Sequence, residues 1–162
     1  PAEIATNHRK ILIYVLIQEV YKFTKGGIYR RNPMTTAYKA RIADTLLARK
    51  LAGKGAVLIE GPKWCGKTTT ARQQAKSMLD LGDDIVLRQS RQMMELSSKT
   101  LLQGATPRLI DEWQTLPPLW DSIRSELDKR NEFSQFILTG SSVLPQADAA
   151  THSGTGRFAR LR

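Results

Sequence analysis

The sequence predicts an α/β fold, a parallel sheet with helices on both of its faces. Three observations predict it. Short apolar runs alternate with stretches of helical character five times along the 162 residues. The first run leads directly into a glycine-rich loop that opens a helix. A later run ends in two adjacent acids, Asp111-Glu112. Ligands of such sheets bind outside the carboxyl ends of the strands, and each motif falls at such an end.

Taken in order, residues 38–51 repeat apolar side chains at helical spacing. Ile42, Leu46 and Leu47 form one face, with Arg41, Arg49 and Lys50 opposite. Gly53-Lys54-Gly55 stops this helix, and Ala56-Val57-Leu58-Ile59 is the first strand. The loop helix is expected over residues 69–79. Gly82-Asp83-Asp84 then turns the chain into a second strand at Ile85-Val86-Leu87. Ser90 is expected to cap a further helix carrying Met93, Met94, Leu96, Leu101 and Leu102, broken at Gly104-Ala105-Thr106-Pro107. Leu109-Ile110 carries the third strand into the acids. Pro117-Pro118 starts a helix through Leu119, Trp120, Ile123 and Leu127, proline being favoured in a first turn. Phe136-Ile137-Leu138-Thr139 is the fourth strand, ended by Gly140-Ser141-Ser142, and Phe158-Ala159-Arg160-Leu161 the fifth.

The glycine-rich loop reads Gly61-Pro62-Lys63-Trp64-Cys65-Gly66-Lys67-Thr68, with Thr69 following in the helix. A loop of this spacing turns successive backbone N–H groups inward onto a polyphosphate, and the helix N-terminus adds partial positive charge. Lys67 can neutralise β/γ-phosphate oxygens, and the Thr68 hydroxyl can ligate Mg²⁺. ATP or GTP is the expected ligand. ATP is preferred because no guanine-reading N-K-x-D motif is present.

Asp111, at the end of its strand, is placed to join Thr68 in the Mg²⁺ shell. Glu112, one residue on, is placed to polarise a water for attack on the γ-phosphate. Thr139 and Ser141, at the end of the fourth strand, are candidates for sensing that phosphate; an ordinary strand-ending turn is the alternative. In His152-Ser153-Gly154-Thr155-Gly156-Arg157, Arg157 has the forked, permanent charge that suits a transition-state phosphate, in its own or a neighbouring subunit. A structural arginine is the equal alternative, and His152 reads as a loop histidine. Trp64, within the loop, and Trp113, directly after the acidic pair, are in place to cover a base or the site, whereas Trp120 has core spacing. No tryptophan is given a catalytic role.

Composition narrows the class. The formal charge is +10, but residues 1–55 carry +8 of it and residues 56–162 only +2. The basic N-terminal third is compatible with nucleic acid. It lacks interleaved aromatics, so a solubilising extension is the preferred reading. The single cysteine, Cys65, excludes a disulfide framework and fits a reducing compartment, so the cytoplasm is the expected location. The longest apolar run, residues 11–17, falls far short of the ~20 residues of a membrane span, and no cleavage site follows it. Residues 1–33 read as an N-terminal extension and residues 34–162 as the core domain, Met34 opening a stretch that makes sense as a start.

Four ordered blocks, residues 58–71, 107–114, 136–142 and 152–161, resemble the prokaryotic ATP-binding proteins of the AAA+ superfamily, in which an ATPase domain precedes a C-terminal domain of unknown function. The resemblance implies a P-loop NTPase of the ASCE type, a three-layer α/β/α sandwich with sheet order 5-1-4-3-2. It implies Walker A at 61–68, Walker B at Asp111 with Glu112 beside it, and a sensor at 139–142. The family's glycine–arginine block maps onto Gly156-Arg157. Relatives run on past position 162 into a helical lid and the C-terminal domain, which would be this domain's partner. Self-association into a homo-oligomer stays open. The expected activity is ATP hydrolysis by a motor or switch module. The rivals are a nucleotide-dependent switch with negligible turnover and a small-molecule phosphotransferase.

Overall fold

The computed structural model describes residues 38–141 and 156–162. The chain divides into two units, residues 1–39 and 40–162, and the second contains all the regular structure described. Its elements are α1 (Ile42–Leu51), β1 (Ala56–Gly61), α2 (Lys67–Gln74), β2 (Ser77–Asp80), α3 (Asp84–Leu96), α4 (Ser98–Leu101), β3 (Arg108–Asp111), a 3-10 turn (Trp113–Thr115), α5 (Leu119–Arg130), β4 (Phe136–Ser141) and β5 (Phe158–Leu161).

All strand pairs are parallel, in the order β2-β3-β4-β1-β5. From the β5 edge this reads 5-1-4-3-2, the expected order, although the strand numbered 2, at the far edge, is a different segment from the one expected. Side chains alternate between the two faces, as a pleated strand requires. Ala56, Leu58, Ile110, Phe136 and Leu138 face one core with Trp113, Trp120, Ile123 and Leu127. Val57, Ile59, Leu109 and Ile137 face the other with Leu47, Leu51 and Ala71. Helices α1 and α2 thus cover one face, and α3, α4 and α5 the other.

Four local expectations fail. The second strand is Ser77–Asp80, paired in register with Arg108–Asp111, and not Ile85-Val86-Leu87. Helix α2 ends at Gln74, because Ala75 is already extended (φ −73°, ψ 137°) and Lys76 N–H donates to Pro107 O at 2.9 Å. Ile85–Leu87 instead open α3, whose N-cap is Asp83: its Oδ1 accepts from Ile85 N at 2.8 Å and Val86 N at 3.1 Å. Ser90 is therefore a buried mid-helix residue and caps nothing. In α1 the buried side chains are Leu47 and Leu51, while Ile42 is 83% exposed and cannot belong to the packed face.

Arg108 was not anticipated. It is buried at the start of β3, where Nε donates to Leu101 O at 3.0 Å and Nη1 to Ser77 Oγ at 3.0 Å. It therefore joins α4 and β2 to the central sheet. The N-terminal extension at 1–33 and the loop at 142–155, with Ser142 and His152, lie outside the described residues.

Candidate functional site

The loop at 61–66 leaves β1 at the carboxyl edge of the sheet and enters α2 through Gly66 (φ 92°). Only glycine takes that conformation without strain. A Cβ there would also collide with the Arg41 guanidinium, which reaches across from the start of α1. Arg41 Nη1 lies 3.5 Å from Cys65 O and 3.4 Å from Gly66 O. The arginine so holds the carbonyl side of the loop. Pro62, Lys63, Trp64 and Cys65 are exposed, Trp64 at 92% and with φ 70°. Thr69 is exposed on the first turn of α2.

Lys67 is buried at the first position of α2. Its Nζ donates to Gly61 O and Pro62 O, both at 2.8 Å, so its charge lies within the loop. Thr68 Oγ1 donates to Asp111 Oδ1 at 2.9 Å. Thr139, directly opposite Asp111 in the β3–β4 register, donates to the same Oδ1 from a fully buried hydroxyl. One carboxylate oxygen thus collects a hydroxyl from the loop helix and another from β4. This is possible only because β4 lies between β3 and β1.

Beyond Asp111 the strand ends abruptly. Glu112 is left-handed (φ 53°, ψ 42°) and caps the 3-10 turn. Thr115 N and Oγ1 both donate to Glu112 O, at 3.0 and 2.8 Å, and Leu81 N donates to Asp111 O at 3.1 Å. The reversal sends Trp113 into the core, 5.0 Å from Trp120, which stacks on Phe158 at 4.4 Å. Trp113 therefore anchors the acidic turn and cannot cover a base. Gln114 Nε2 donates to Glu112 Oε2 and lies 3.3 Å from Ser141 Oγ.

Lys67, Thr68, Asp111 and Thr139 are thus brought together, and Glu112 and Ser141 stand beside them, joined through Gln114. Arg157 is not brought in. It precedes β5, its carbonyl accepts from Ala56 N at 3.2 Å, and its guanidinium pairs with Asp128. That is the amino rim of the sheet, about 17 Å from Gly61 at ~3.3 Å per strand residue. A role for Arg157 on the phosphate of its own chain is excluded by this placement. The arginines at the carboxyl end of β5 are Arg160 and Arg162, paired with Glu60 at 3.4 and 2.9 Å. Gln114 and Arg41 carried no signal in the sequence, since their partners are set by the fold.

Residues 53–162 match the family model described as AAA domain. The chain belongs to the AAA domain family. AAA domains are in general ATPases that bind nucleotide. No match was found among curated proteins. Among solved structures the AAA domain is similar to C. elegans PCH-2, at 15% identity and a TM-score of 0.30. The likeness covers 73% of this chain and 39% of that one, so the chain spans well under half of its length. Among the described residues no helix is long and apolar enough to cross a membrane.

The donors at Thr68 and Asp111 fit magnesium, which takes hard oxygen ligands and usually shares them between one or two protein groups, phosphate oxygens and water. Among the described residues no cluster of three or more His, Cys, Asp or Glu forms a cage of its own. A shell shared with phosphate is the arrangement these residues suit.

Proposed function

We propose that this AAA domain binds ATP with Mg²⁺ and hydrolyses it to ADP and phosphate, as the motor or switch module of a larger protein. The observation that carries this reading is the convergence of Thr68 and Thr139 on one oxygen of Asp111, beside the loop that holds Lys67. A phosphate loop alone serves kinases, switches and hydrolases equally; the acid following Asp111 favours water as the acceptor.

The loop's N–H groups and Lys67 bind the β- and γ-phosphates. Lys67 Nζ exchanges its two carbonyl partners for phosphate oxygens, so its charge needs no solvent rearrangement to find the ligand. Thr68 and Asp111 would hold magnesium, which supplies neutralisation of charge on the phosphoryl oxygens. Thr139 fixes the rotamer of Asp111 from β4. Glu112 accepts a proton from the attacking water.

The test pairs two variants. Lys67→Ala should abolish ATP binding in a calorimetric titration. Glu112→Gln should bind ATP within about two-fold of wild type while turnover falls by about 10² or more, the range attributed to a positioned base. A Glu112→Gln chain that turns over normally rules out this base. A wild-type chain that binds ATP without single-turnover cleavage is a switch, and phosphate found on a small acceptor marks a phosphotransferase.

A further inference from the structure

Glu112 does not stand alone at the edge of the sheet. The 3-10 turn folds Gln114 back over it, and the Gln114 amide donates to Glu112 Oε2. A carboxylate only accepts, so the amide must present its NH₂ group to it. The same nitrogen lies 3.3 Å from Ser141 Oγ. Ser141 is paired in register with Gly61, the first residue of the phosphate loop. Glu112 is thus connected through one side chain to the strand that borders the loop.

Two further facts concern the same amide. Gln114 Oε1 is buried and has no hydrogen-bond partner among the described residues. A buried carbonyl left unpaired costs the desolvation of the group, so the placement of this amide is favoured by the bonds its nitrogen makes and not by its oxygen. Gly140 makes room for it. A Cβ at position 140 would collide with Gln114 Oε1 and come within 3.1 Å of Trp113 Nε1. The glycine lies in a regular strand, so what position 140 requires is space for the glutamine.

We propose that Gln114 is a positioning residue that aims the Glu112 carboxylate by clamping one of its oxygens to Ser141 on β4, leaving the other oxygen for the attacking water. The proposal deepens the hydrolase reading and rests on Glu112 being the base. With the clamp removed, the glutamate keeps its chemistry but loses its direction, and misplacement by about 1 Å costs on the order of 10²-fold in rate.

The experiment measures kcat and the ATP dissociation constant for the full chain carrying Gln114→Leu, Gly140→Ala and Glu112→Gln, singly and combined. The leucine keeps the volume without the amide. The alanine pushes the flexible end of Gln114 aside and leaves the glutamine in the sequence. Both should lower kcat about ten- to a hundred-fold with ATP affinity within about two-fold. Neither should lower the residual rate of Glu112→Gln further, since each acts through that residue. Should Gln114→Leu fail to fold, Gly140→Ala carries the test alone. A kcat near wild type in either variant, or an equal further loss in the Glu112→Gln background, overturns the proposal. Normal turnover by Glu112→Gln itself removes the base and the hydrolase reading before Gln114 is in question.

Discussion

Asp111 is the residue through which the loop helix and the sheet are joined. It is buried, and one of its oxygens accepts both Thr68 and Thr139. The aligned Thr139 hydroxyl, fully buried, fixes the carboxylate from the strand side. Thr139→Val keeps the shape and deletes the donor. It should cost about 1 kcal/mol in urea unfolding, the net value of a typical buried hydrogen bond. Turnover should fall along with it. A valine variant as stable and as active as wild type would show that the hydroxyl only fills space. Lys67, Thr68 and the acid pair were legible in the sequence because their chemistry is local, a fixed spacing around a strand end. The bonds from Thr139 to Asp111 and from Gln114 to Glu112 and Ser141 were not, because the register and the turn create them.

Helix α3 and strand β2 show where element boundaries escape the sequence. Ile85-Val86-Leu87 is apolar and opens with two β-branched residues, so it resembles a strand, yet it is too short to decide by periodicity. Asp83 decides it by accepting the first free N–H groups of the helix. Asp83→Ala should cost about 1 kcal/mol, visible as a lower thermal midpoint; no shift would mean that packing of Val86 and Leu87 alone holds the helix. The true strand, Ser77–Asp80, is half polar and among the described residues pairs with β3 alone, so its sequence resembles the end of the preceding helix. The sheet order itself came from the family resemblance and not from residue pattern. The central strands were legible because they are buried on both faces and read as continuous apolar runs.

Over the whole molecule, the site depends on a core that runs from the acidic turn to the far edge strand. Trp113 packs tilted against Trp120, which stacks on Phe158, linking the turn after β3, helix α5 and strand β5. Strand β5 is also held by Arg160 and Arg162 on Glu60. The arginines of those pairs are exposed, so each pair contributes little individually. Trp120→Ala should therefore cost about 3–5 kcal/mol, a large share of the ~5–15 kcal/mol of a whole domain. Denaturant unfolding checks it. Loss of ATP turnover at temperatures where the variant is still folded would show that the stack also sets the angle of the Glu112 turn.

The three tryptophans stand in contrasting surroundings: two are sealed within the protein, while Trp64 projects from the phosphate loop almost fully in water. An aqueous quencher such as iodide reaches the third indole and spares the others. Emission that iodide can remove thus reports on the loop alone, and a guest settling there will shield or shift it. The chain carries an intrinsic optical gauge of its own occupancy, readable without any label.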